Sequence, residues 1–171
     1  MTYAFGHLVA AWLAGKGYEL ISKKTISHYT WFFLLLGGIL PDADFIIDWL
    51  FKTHIHRTFT HSLLFVIVAS LIVYLVSYLL KKEQAKSWTL ALGIGILIHL
   101  TIDFISPQGL PLLWPYSVYI SPERIGAYSY ELSLRTGTAD YLKQEMNLAI
   151  LDMGVGVSWI FYLWFKKRIK F

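Results

Sequence analysis

His99 and Asp103 stand four positions apart, so on a helix they lie one above the other on a single face, the spacing that lets one helix offer two ligands to the same metal ion. Asp42 and Asp44 flank Ala43 directly after Pro41. In a regular helix their side chains would point about 200° apart. A proline at position 41 removes one backbone hydrogen bond and can bend the chain enough to turn both carboxylates to one side. His7 and His61 complete the candidate ligands. With no cysteine in the chain, any bound metal has to be held by nitrogen and oxygen. Arg57, between His56 and His61, suits a forked clamp on phosphate or carboxylate, and equally a contact with a lipid headgroup. His28 and His54 read as solvated loop residues and Asp48 as interfacial, while Asp140 and Glu145 stay open as contributors.

The elements that must carry these residues are hydrophobic. Of 171 residues, 56% are hydrophobic and only 15% charged, against about 25% charged in a typical soluble domain, and the mean hydropathy is +0.53. Lipid is the solvent this composition suits. Crossing a bilayer core takes about 20 helical residues, and five runs approach that length: 3–20, 31–50, 62–80, 88–106 and 148–165. The expectation is a single all-α domain over 1–171, an integral membrane bundle of about five helices with one long connection, 107–140, that carries four of the five prolines. No short basic leader with a small-residue cleavage site precedes the runs, so the N-terminus is expected to be retained.

The net charge of +4 comes largely from short flanks of these runs, Lys23/Lys24, Lys81/Lys82/Lys86 and the 166–170 tail. That distribution marks membrane orientation and argues against a nucleic-acid partner. Placing the three flanks in the cytoplasm puts the N-terminus, the 52–61 connection and the 107–140 loop outside. Heights then follow from a rise of about 1.5 Å per residue: Asp42 and His99 both come out roughly 17 Å above the inner end, His7 and Asp44 at roughly 20 Å, Asp103 at roughly 22 Å and His61 near the outer rim at roughly 28 Å. Ionised side chains at such depth cost at least about 2.5–3.5 kcal/mol each on insertion scales. Mutual compensation, most simply by a divalent cation, is therefore expected.

Four blocks in order give the chain a resemblance to the YdjM-like family: Gly6-His7-Leu8; Leu40-Pro41-Asp42-Ala43-Asp44; His56-Arg57-Thr58-Phe59-Thr60-His61-Ser62; and His99-x-x-x-Asp103-x-x-x-Pro107-x-Gly109-x-Pro111-Leu112-Leu113-Trp114-Pro115. Members are described as LexA-regulated, membrane-bound, metal-dependent hydrolases, distantly similar to zinc phospholipase C. The resemblance implies metal-site roles for His7, Asp42, Asp44, His56, His61, His99 and Asp103, with Arg57 beside them. Relatives often carry His directly after the second Asp of the second block, where this chain has Phe45.

The function expected is hydrolysis of a phosphoester or related bond of a lipid or other amphiphile at the extracytoplasmic face of the cell membrane. It would use a divalent metal, zinc first, with two or more ions, and Asp44 and Arg57 as catalytic residues. A metal or proton transporter and a non-catalytic protein with a structural metal are the competing readings. The orientation predicts that a cysteine replacing His54 reacts with a membrane-impermeant thiol reagent added from outside; labelling only after permeabilisation would invert the topology.

Overall fold

The computed structural model describes residues 4–51, 56–105, 109–116, 118–122 and 125–126, and Gly154, Gly156, Ser158, Trp159, Tyr162 and Phe165 further on. Five α-helices account for most of them: α1 (Ala4–Ser22), α2 (His28–Ile39), α3 (Asp44–Phe51), α4 (Leu63–Leu79) and α5 (Ala85–Phe104). Three match the first, third and fourth expected spans to within three residues at each end. The second does not. Residues 31–50 form no single helix, because Pro41 lacks the N–H that would continue the α2 ladder; the chain closes a 3-10 turn, Pro41–Ala43, and restarts as α3. The fifth expected span lies outside the described residues except for the helical positions just named.

Among the described residues, α5 is the helix both long and apolar enough to cross a membrane, while α2 and α4 are apolar but shorter. Its inward stripe is Leu92, Gly95, Ile96, His99, Leu100 and Asp103, buried at helical spacing. Leu90, Ile94 and Leu97 on its other side are exposed, as are Ile67, Leu71, Ile72, Leu75 and Val76 along α4. An apolar band of that extent suits lipid contact rather than water.

α2 and α5 run parallel and cross at touching distance. Ser27 and Gln84 hydrogen-bond at one end, and Gly38 meets His99 at the other. Between them a Cβ on Gly37 would stand 2.3 Å from the Leu92 carbonyl oxygen, and one on Gly95 2.2 Å from that of Leu34. Only glycine fits where two backbones come this close. α1 packs antiparallel on α2, with Trp31 and Leu34 against Gly15, and Gly38 against Ala11 and His7. Capping is local: the Ser62 hydroxyl accepts from Phe65 N–H to start α4, and Ser27 does the same for Thr30 at α2.

The described structure is mostly helical, in line with the all-α expectation, and the long connection adds only a two-residue strand pair. β1 (Tyr119–Ile120) pairs antiparallel with β2 (Ile125–Gly126), and Leu110 exchanges two backbone hydrogen bonds with Ile120. Gly109 adopts φ +72° beside this bridge, a conformation glycine takes without Cβ strain. The segment is tied to the bundle through Leu63 N–H and the Leu112 carbonyl, and through Phe59 edge-on to Trp114.

Gly95→Ala forces the crossing apart. The expected cost is about 1–3 kcal/mol of stability, read as a lower Tm of the purified protein in detergent.

Candidate metal centre

Breaking the helix at Pro41 has a second effect. Carbonyls in the last turn of a helix lack intrahelical partners, and that of Gly38 accepts a hydrogen bond from His99 Nδ1–H at 2.9 Å. His99 is fully buried, and this bond directs its Nε2 lone pair away from α2, toward the space between the helices. Asp103, one turn further along α5, is buried on the same side, its Oδ2 3.8 Å from His99 Nε2. From the 3-10 turn, Asp42 brings Oδ1 to 3.5 Å from the same nitrogen.

Asp44, at the start of α3, turns the other way and is buried. Its Oδ1 accepts from His56 Nδ1 at 2.8 Å, and its Oδ2 accepts from the Thr60 hydroxyl. The Thr60 proton being committed there, the 3.0 Å contact between Thr60 Oγ1 and His61 Nδ1 must have the imidazole as donor. His61 therefore also points a bare Nε2 inward. It lies 3.6 Å from Asp42 Oδ1, 3.6 Å from Asp103 Oδ2 and 3.3 Å from His99 Nε2. Two imidazole lone pairs facing each other at that distance repel unless a proton or a cation lies between them.

These spacings suit a cation. Four atoms on a regular tetrahedron around an ion at about 2.0–2.2 Å are about 3.3–3.6 Å apart, and the five measured separations run from 3.3 to 3.8 Å. Asp42, His61, His99 and Asp103 thus form one group that could hold a metal ion, and Asp44, His56 and His61 form a second. In the second, the 2.8 Å bond and the Thr60 hydroxyl already satisfy Asp44. Its geometry is that of a hydrogen-bonded support fixing the orientation of His61.

Arg57 has φ +58°, a left-handed conformation that costs a non-glycine residue about 1–3 kcal/mol. The turn sends its buried guanidinium to Asp103, Nη2 to Oδ2 at 3.2 Å, and Tyr119 of β1 donates to the Arg57 carbonyl. His7, on α1, is fully buried with Nε2 3.4 Å from Asp103 Oδ1 and 4.0 Å from Asp42 Oδ2. Its ring stacks on His99 at 3.8 Å between centroids.

All seven expected ligands therefore converge, at three levels: four around one point, Asp44 and His56 behind His61, and His7 beside His99. His28 is exposed at the start of α2. His54, Asp140 and Glu145 lie outside the described residues, as does the side chain of Phe45. Two contributors went unread in the sequence, Thr60 and the Gly38 carbonyl. Thr60 sits inside the 56–62 block beside His61 and could have been singled out there; a backbone carbonyl leaves no signal of its own.

The YdjM inner membrane protein family matches residues 1–169. This chain belongs to that family. It is 29% identical over 136 residues to the inner membrane protein YdjM of Escherichia coli (strain K12), and equally to the protein of that name from Shigella flexneri. Each alignment covers 66% of this chain and 65% of the relative, so the chain spans just under two thirds of the length of the curated relatives it matches. No solved structure matches it.

Thr60→Val removes the hydroxyl that donates to Asp44 and receives His61 Nδ1–H. Metal affinity is expected to fall about 10–100-fold, measured by competition with a chromogenic chelator; unchanged affinity would remove the support role assigned to Thr60.

Proposed function

We propose that this protein is a membrane-embedded, metal-dependent hydrolase that cleaves a phosphoester or related bond of a lipid or other amphiphile at the extracytoplasmic face of the cell membrane. One observation carries the reading. Two imidazole Nε2 atoms and two carboxylate oxygens converge beside a buried arginine at one end of an apolar bundle. The donor set of nitrogen and carboxylate oxygen, and its near-tetrahedral spacing, favour Zn²⁺.

Zinc held by Asp42, His61, His99 and Asp103 would lower the pKa of a coordinated water and polarise the scissile group. Arg57, already turned toward the ligands by its left-handed backbone, steadies negative charge on the substrate. A carboxylate of the group accepts the proton of the attacking water, Asp42 being the one nearest the opening, while Asp44, held by His56 and Thr60, acts through the orientation of His61. Asp42 is the most open of the four converging ligands at 15%, and marks the side from which substrate enters. The lipid or phosphoester class is supported by the apolar faces of α4 and α5, by the guanidinium fork and by analogy with zinc phospholipase C through the His99-x-x-x-Asp103 pair.

The chain acts in this reading as one multi-pass domain in contact with membrane lipids. A structural metal is favoured by one feature, since four protein ligands fill a tetrahedral site and leave no position for substrate. Transport is disfavoured: residues 71–80 and 90–97 offer only Ser77 and two tyrosines on which to build a polar path.

Purified full-length protein is expected to hydrolyse at least one member of a phospholipid and phosphoester panel, with activity lost on chelation and restored by Zn²⁺. The Asp103→Ala variant should lose activity at least about 100-fold. Bound metal with no turnover on any substrate would select the structural reading, and ion flux into liposomes would select transport.

A further inference from the structure

The two carboxylates of the metal centre each face in two directions. Asp42 directs Oδ1 at His61 and His99, and Oδ2 at His7. Asp103 directs Oδ2 at His61, His99 and Arg57, and Oδ1 at His7. His7 is thus opposed by the outer oxygens of the same two aspartates whose inner oxygens complete the four-ligand group. Among the described residues neither of its ring nitrogens meets a partner in full hydrogen-bond geometry, Nε2 lying 3.4 Å from Asp103 Oδ1, although the side chain is wholly buried. Buried polar groups are seldom left in that state without an ion or water to receive them.

Ring stacking supplies the spacing. The His7 and His99 imidazoles lie 3.8 Å apart and 23° from parallel. Two cations seated side by side on such rings would stand at the separation of about 3.5–4 Å that two-metal hydrolytic sites use. α1 is held in place for this by its close contact with α2, where a Cβ on Gly38 would reach 3.0 Å from Ala11 Cβ and 3.3 Å from the His7 carbonyl oxygen.

We infer that the centre takes two divalent cations bridged by Asp42 and Asp103, the first on His61 and His99, the second on His7. The inference rests on the metal-binding part of the function proposed above and assigns its two roles to different ions. The first has four protein ligands and is closed. The second has three, His7 Nε2, Asp42 Oδ2 and Asp103 Oδ1, and keeps an open position for water or a substrate oxygen. Asp42, the more exposed of the bridging carboxylates, lies at that opening.

The test uses full-length protein in detergent, loaded with Zn²⁺ for elemental analysis and with Mn²⁺ for electron paramagnetic resonance. The wild type is expected to hold two Zn²⁺ per chain and His7→Ala one, with helical circular dichroism retained. The Mn²⁺ spectrum of the wild type, which requires no variant, is expected to show an exchange-coupled pair. One ion per chain in the wild type, two ions retained in His7→Ala, or magnetically isolated Mn²⁺ would each overturn the inference. A coupled pair without turnover on any ester would leave it standing and remove the hydrolytic reading, whereas a single ion with turnover would do the reverse.

Discussion

α2 and α5 touch through their backbones at Gly37 and Gly95, and every other distance in the site depends on that contact. A side chain at either glycine would hold the helices several ångströms further apart. His99 would then lose the Gly38 carbonyl that fixes its tautomer, and its Nε2 would no longer face Asp42. The break at Pro41 belongs to the same constraint. It ends α2 where the crossing ends, leaves a carbonyl for His99 to bond, and swings Asp42 and Asp44 to opposite sides of one imidazole, that of His61.

Burial of charge is the cost of this arrangement. Asp44, Arg57 and Asp103 are almost completely excluded from solvent, and an uncompensated ion in apolar surroundings would be expelled or neutralised. Compensation is distributed unevenly. Asp44 is satisfied by His56 and Thr60, and Asp103 has Arg57, but the inward nitrogens of His61 and His99 face each other and the carboxylates with no donor of their own. Hydrogen-bonded groups such as Asp44, His56 and Thr60 surround the converging nitrogens and carboxylates as support.

The outer connection adds a rim to the centre. Leu110 and Pro111 are buried, Ile120 is locked to Leu110, and Tyr119 reaches the carbonyl of the strained Arg57. The guanidinium is therefore braced from both ends, by Asp103 at its tip and by the loop at its backbone. Membership of the YdjM inner membrane protein family over residues 1–169 agrees with the apolar exterior of α4 and α5.

Periodicity and residue type were enough to read the helices 4–22, 63–79 and 85–104 and the shared height of Asp42 and His99, because a helix rises by a constant amount per residue and hydropathy reports where each begins. They were enough, too, to bring His7, Asp42, Asp44, His61, His99 and Asp103 to one end of the bundle, and the family resemblance added His56 to the set. The division of that set needed the tertiary structure. Which nitrogen of His61 is free depends on Thr60 and Asp44 arriving from different elements, and which oxygen of each aspartate faces His7 depends on rotamers set by packing between three helices. The split of residues 31–50 into α2, a 3-10 turn and α3 was also undecided in the sequence, since a proline can kink a helix or end it, and the packing around Pro41 makes the choice.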